Sequence, residues 1–250
     1  MSSRNLTWTL CAACGLATVA VALLLLPMFP SEGAHVAAGY GKPVMAFEMA
    51  RSAADLLAVF GPPGDPARAA RIAAMDRGNR WDYLFLATYS SFIASFFIGA
   101  ARSRGRGGWL LFAAIGVVAG LADAAENWIL LGLTSDLEAT AHLALLRYPV
   151  WLKFGGLMVA GVAAGAFLLS SCSAGFRVLG AIATLAALCT LLMMWAPARY
   201  AALATNGLAV CWLAQLVFAL TEAIRERRQE ETRPLFTWVD HNRRHSGEND

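Results

Sequence analysis

The chain has 250 residues, of which 58% are hydrophobic and 15% charged, with a net charge of +3 and a mean hydropathy of +0.54. Soluble domains carry about 25% charged residues, so this balance excludes an ordinary soluble globule and predicts an all-α polytopic membrane protein. No basic stripe interleaved with aromatics is present, which excludes nucleic acid as a partner.

A spanning helix needs about 20 apolar residues, and the first candidate is 9–29, preceded by Arg4. Its apolar run is longer than the roughly 7–15 residues of a signal-peptide core, and no A-x-A site follows closely, so a retained helix is expected. Cys11 and Cys14 form C-A-A-C on this apolar segment. With Cys172, Cys189 and Cys211 they read as small core-filling residues. A redox or zinc site would need a second ligand pair nearby, and none stands there.

Residues 30–82 form a long, partly helical connection. Pro43 suits the first turn of a helix. Met45, Met49, Ala53, Leu56 and Phe60 follow at three-to-four spacing, with Glu48, Arg51 and Asp55 on other faces. Gly61-Pro62-Pro63-Gly64 ends that helix. Asp65-Pro66 opens a second one, which Gly78 stops just after Arg77. The pair either lies on the membrane surface or caps the bundle, and its amphipathic face does not decide between these.

The second span is 83–101, and the loop after it carries Arg102, Arg104 and Arg106 with no acid. The third, 109–133, contains GLADAAENWILL (Gly120 to Leu131). Gly116, Gly120, Asp123 and Asn127 follow one another at steps of four, three and four, in a narrow arc. Glycines four apart let another helix come close, so the acid and the amide point at protein. Glu126 lies on the flank of this arc. A charged side chain facing lipid at mid-bilayer costs about 2.5–3.5 kcal/mol on insertion scales, so partners or water are expected. After an acidic loop with Asp136, Glu138 and His142, the fourth span is 150–170. Lys153 stands near its start, above a small-residue stripe of Gly156, Ala160 and Ala164. Spans 176–196 and 200–223 are joined at Ala196-Pro197-Ala198-Arg199, a tight hairpin, and Asn206 lies early in the last span. The tail, 224–250, reads as a helix extension and then a disordered end. Asp240, His241 and His245 there are weak metal candidates, as are His35 and His142.

Lys and Arg mark the cytoplasmic loops. The arginine loop after span two, Arg225, Arg227 and Arg228 after span six, and Arg4 fall on one side if there are six spans. Both termini are then cytoplasmic and 30–82 is extracytoplasmic. Trp8, Trp81, Trp109, Trp128 and Trp151 read as interfacial anchors. Ser90 and Ser91 have no histidine nearby in sequence and do not read as nucleophiles.

At about 1.5 Å per residue, Tyr89, Asp123, Glu126, Asn127, Lys153 and Asn206 fall at comparable depth. The expectation is one outward-facing pocket lined by these residues, with Glu48 and Asp82 at its mouth. The alternative is a buried ion pair and an interhelical hydrogen bond that only fix helix packing.

WDYLFLATYSSFIASFF (Trp81 to Phe97), LADAAENWILL (Leu121 to Leu131) and AFEMARSAADLLAVFG (Ala46 to Gly61) together resemble a group of uncharacterised bacterial polytopic integral membrane proteins. That group has an external F-E helix, a D-x-L-F-x-x-x-Y helix and an L-x-D-x-x-E-N helix. The resemblance spans roughly residues 44–133. It implies Glu48, Asp82, Tyr89, Asp123, Glu126 and Asn127 as shared polar positions and supplies no activity.

The expected fold is a six-helix transmembrane bundle over 1–223 with a helical extracytoplasmic insertion. The Ala, Gly and Arg richness is that of a bacterial inner-membrane protein. The expected role is binding or transport of a small polar or amphiphilic molecule, with the bilayer as partner and no cofactor. A membrane-embedded enzyme using Asp123 or Glu126 as general acid or base is the first alternative. The second is a scaffold recruiting partners through Gly116/Gly120 and Gly161/Gly165. No broken helix or inverted repeat of a secondary transporter is evident.

Overall fold

Six helices in the computed structural model are long and apolar enough to cross a bilayer, and no strand occurs among the described residues, 5–138 and 142–231. In chain order they begin with α1 (Asn5–Leu25), followed by two short helices, α2 (Pro43–Glu48) and α3 (Ala53–Phe60). Then come α4 (Arg68–Arg104), α5 (Leu110–Ser135), α6 (Leu143–Leu169), α7 (Ala174–Trp195) and α8 (Pro197–Glu231). The chain is an all-α, multi-pass membrane bundle. The tail histidines, Asp240 and Arg4 lie outside the described residues.

The spans pack in chain order, α1 on α4, α4 on α5, and so on to α8, which returns to α1 and closes a ring. Close approach comes from small residues. A Cβ on Gly116 would sit 2.5 Å from Ile93 Cγ2, and one on Gly165 would sit 2.8 Å from the Gly180 carbonyl oxygen. A Cβ on Gly161 would likewise press on Ala187. Both glycine faces read from the sequence as partner-recruiting are therefore spent inside the chain, against α4 and α7.

The ring is filled at one end by aromatics. Trp8 packs edge-to-face on Phe218 at 5.2 Å and on Phe96 at 5.8 Å, and Phe167 meets Phe218 at 5.3 Å. Trp8 is only 5% exposed, so it is a core residue and not an interfacial anchor. Its position near a span end concealed this, because burial depends on which neighbours the helix acquires. Trp81 and Trp128, 53% and 67% exposed, do stand at the periphery as anchors would.

The other end is covered by the segment before α4. Pro43 starts α2 at its first turn, as expected. The single helix expected over 43–60 is broken, however. Ser52 adopts an extended conformation, its hydroxyl accepts the Asp55 amide, and the Asp55 carboxylate accepts the Ser52 amide. This reciprocal capping box restarts the chain as α3. Phe47 and Phe60 meet edge-to-face at 4.9 Å, both fully buried, which folds the segment over the bundle end.

The stop expected at Gly78 is absent: α4 runs unbroken for 37 residues. Gly78 instead lies under the Phe29 ring, where a Cβ would come within 2.3 Å of Cδ1. A local breaker signal loses here to a tertiary contact. Likewise α6 begins seven residues before the expected start and passes through Pro149. Leu143, Leu146 and Val150 form a buried stripe that extends the helix upward. The hairpin between α7 and α8 is tighter than expected. Ala196 leaves the helical region (φ −143°, ψ 80°), as a residue before proline is pushed to do, and Pro197 already opens α8.

Candidate functional site

Beneath the cap, α2, α4, α5 and α6 bring ionisable side chains together. On α5, Asp123, Glu126 and Asn127 stand at i, i+3 and i+4 and so share one face. All three are buried. On α4, Asp82, Phe85 and Tyr89 form a second stripe. A Cβ on Gly156 would lie 3.1 Å from the Ala119 methyl. That close packing of α6 on α5, one turn from Lys153, carries the lysine into the cluster.

The Lys153 ammonium is the hub. It donates to Glu126 Oε1 at 2.7 Å, to Glu48 Oε2 at 3.0 Å and to Asp123 Oδ1 at 3.2 Å. The Tyr89 hydroxyl donates to Asp123 Oδ2 at 2.8 Å, and the Asn127 amide donates to Asp82 Oδ2 at 2.7 Å. Glu126 Oε2 is buried without a hydrogen-bond partner. The Lys153 ammonium thus bonds three carboxylates, Glu48, Asp123 and Glu126, and a fourth, Asp82, stands nearby on the Asn127 amide.

A cavity of about 400 Å³ opens beside the cluster. Its polar wall is Glu48, Asp82, Tyr89, Asp123 and Lys153. Its apolar walls come from α1, including Val19 and Leu23, and from α8, including Leu208 and Trp212. The Trp212 indole stacks on the Tyr89 ring at 5.2 Å.

The eight residues expected at the site are distributed unevenly. Tyr89, Asp123 and Lys153 stand in the cavity wall. Glu48 and Asp82, expected at the mouth, are part of the same wall, and Glu48 is ion-paired to Lys153. Glu126 and Asn127 do not line the cavity. They lie behind it, holding Lys153 and Asp82. Asn206 must be removed from the set: it is exposed, and its neighbour Thr205 faces the cavity instead. One residue along a helix is a rotation of about 100°, which a depth argument does not register. Trp212 and Phe85 were missed, although Thr205, Leu208, Ala209 and Trp212 repeat at three, four and seven residues as one helical face does.

Glu48 sits on α2, outside the spans. Burial pushes its carboxyl above the usual range, the Lys153 ammonium pulls it back, and the Asp123 carboxylate pushes it up again. An unfolded Glu titrates at about 4.3, so between that value and the raised folded one the native state binds more protons. Stability then falls as pH rises through this window. The favourable contribution is complete below the unfolded value and lost above the folded one. Glu48→Gln should flatten this part of the thermal-stability profile in detergent. A variant slope equal to wild type would show that Glu48 does not titrate there.

Comparison of the chain with protein-family models, with curated proteins and with solved structures gives no match in any of the three.

Proposed function

We propose that the protein binds, or moves across the bilayer, a small polar or amphiphilic molecule held in the cavity beside Lys153. The observation that carries this reading is the wall itself. Glu48, Asp82, Asp123 and Lys153 border a space of about 400 Å³ whose other walls are largely apolar. This is the make-up of a small-molecule site: a few placed polar groups in an apolar cleft of roughly 300–1,000 Å³. Asp123 and Lys153 supply charge and Tyr89 orients. Glu126 and Asn127 act through the residues that they hold.

Orientation belongs to the same proposal. Arg102 and Arg104 stand in the last turn of α4 with Arg106 just beyond it, and Arg225, Arg227 and Arg228 sit at the far end of α8. By the positive-inside rule that end is cytoplasmic, both termini are cytoplasmic, and the capped end with the cavity faces outward. The composition favours a bacterial inner membrane. Of the two acids on α5, Asp123 borders the cavity and Glu126 does not.

Gentle extraction and native mass spectrometry of wild type, Asp123→Asn and Glu126→Gln test the reading. Wild type should retain a bound molecule, Asp123→Asn should lose it while remaining folded, and Glu126→Gln should lose less. If wild type retains nothing and both variants are merely less stable, the cluster serves packing alone.

A further inference from the structure

We propose that the ligand is a cationic amphiphile, an aliphatic amine or quaternary ammonium, admitted sideways from the bilayer between α1 and α8. This rests on the binding reading above and narrows it.

Charge is the first argument. The cavity wall carries Glu48, Asp82 and Asp123 against the single cation Lys153. That ammonium is already shared among Glu48, Asp123 and Glu126, and Asp82 forms no direct ion pair among the described residues, its bond being to the Asn127 amide. Buried like charges repel strongly where the dielectric is low. A second positive charge beside Asp82 relieves that repulsion, whereas an anionic headgroup aggravates it and is rejected.

The aromatic wall is the second. Phe85, Tyr89 and Trp212 converge on the same space, with Phe85 5.4 Å from Tyr89 and 5.9 Å from Trp212 between ring centroids. Aromatic faces attract ammonium groups, indole most of all. An aromatic surface beside a carboxylate without an ion-pair partner suits a methylated or primary ammonium and offers nothing to a sulfate or phosphate.

The route is the third. At the aromatic end α1 and α8 are in tight contact: a Cβ on Gly15 would lie 2.8 Å from Leu216, and Trp8 packs on Phe218. Toward the cap the cavity is lined from both helices, by Leu23 of α1 and Leu26 just beyond its end and by Ala209 and Leu213 of α8, all four exposed. In a bilayer that slot faces acyl chains. A hydrocarbon tail can occupy it while the headgroup reaches Asp82.

The test uses the full chain in lipid nanodiscs and measures saturable binding above the partitioning into empty discs. The probes are dodecyltrimethylammonium, dodecyl sulfate, dodecanol and tetramethylammonium. Only dodecyltrimethylammonium should bind saturably. Asp82→Asn, which keeps a polar group for Asn127, should weaken it roughly tenfold or more. Ala209→Trp, which fills the slot and removes no charge, should weaken it too. Equal binding of the sulfate or the alcohol would overturn the cationic headgroup and leave the binding reading standing. Tetramethylammonium binding as well as the long-chain compound would overturn the sideways amphiphile. If no probe binds while wild type retains another molecule by native mass spectrometry, this inference alone fails. If nothing is retained either, the reading beneath it fails as well.

Discussion

Lys153→Met is expected to cost the fold about 3–5 kcal/mol, the range seen when one partner of a buried ion pair is removed. Methionine keeps the length and packing of the stem, so the loss is almost purely electrostatic. It strands Glu48, Asp123 and Glu126, which all bond the ammonium at 3.2 Å or less, with side chains 12% exposed or less. Solvent cannot screen groups so enclosed. The chain can recover only by protonating carboxyls, so the defect should deepen as pH rises. Thermal unfolding of detergent-solubilised wild type and variant across pH reads both effects. Glu126→Gln introduced on top of Lys153→Met should restore part of the loss, because it removes one of the stranded charges. A coupling of about 0.5–3 kcal/mol is expected for side chains in contact. A single variant as stable as wild type at every pH would show that Lys153 does not hold the cluster together.

That hub is where sequence reading went furthest and also where it fell short. The spans were legible because twenty apolar residues in a row have few other uses. The arc of Asp123 and Asn127 was legible because helical steps of four and three fix a face without reference to any neighbour. Lys153 was recognisable as a cation near the right depth. How many carboxylates it would hold was not legible, because that depends on which helices surround it; the structure gives it Glu48, Asp123 and Glu126. Glu48 was placed only at the mouth, because one continuous helix over 43–60 turns it away from the apolar face. The capping box at Ser52 and Asp55 ends α2 at Glu48 and lets that residue hang into the bundle. Asn206 failed on azimuth and Trp212 on identity, since an indole among leucines reads as lipid-facing until a partner such as Tyr89 is known. Gly78 and Trp8 fail alike. Local composition predicts a stop or an anchor, and a long-range contact overrides it.

The apposition of α4 and α5 holds the site together, and Gly116→Leu should break it. A bare Cβ at Gly116 already falls 2.5 Å from Ile93 Cγ2 and 3.0 Å from its Cβ. Ile93 is β-branched and buried, so it has little rotamer freedom with which to yield. A leucine must therefore push the two helices apart. Overpacking of this kind costs about 1–3 kcal/mol and sometimes more, and the upper end is expected because a helix has to move. The same displacement stretches the hydrogen bonds that cross this interface, Tyr89 to Asp123 at 2.8 Å, Asn127 to Asp82 at 2.7 Å and Tyr83 to the Ala124 carbonyl at 3.2 Å. Stability and cavity binding should fail together, although Gly116 touches no ligand and carries no charge. Gly132→Leu on the same helix is the control, because a Cβ there meets nothing within 4 Å. Its effect should stay within about 0.5 kcal/mol, as for surface changes generally. If unfolding midpoints of the two variants coincide, helix spacing is not what holds Asp123 against Tyr89. If Gly116→Leu loses stability but binds normally, the cavity tolerates a displaced α5 and its geometry must be fixed by Lys153 and the α2 cap instead.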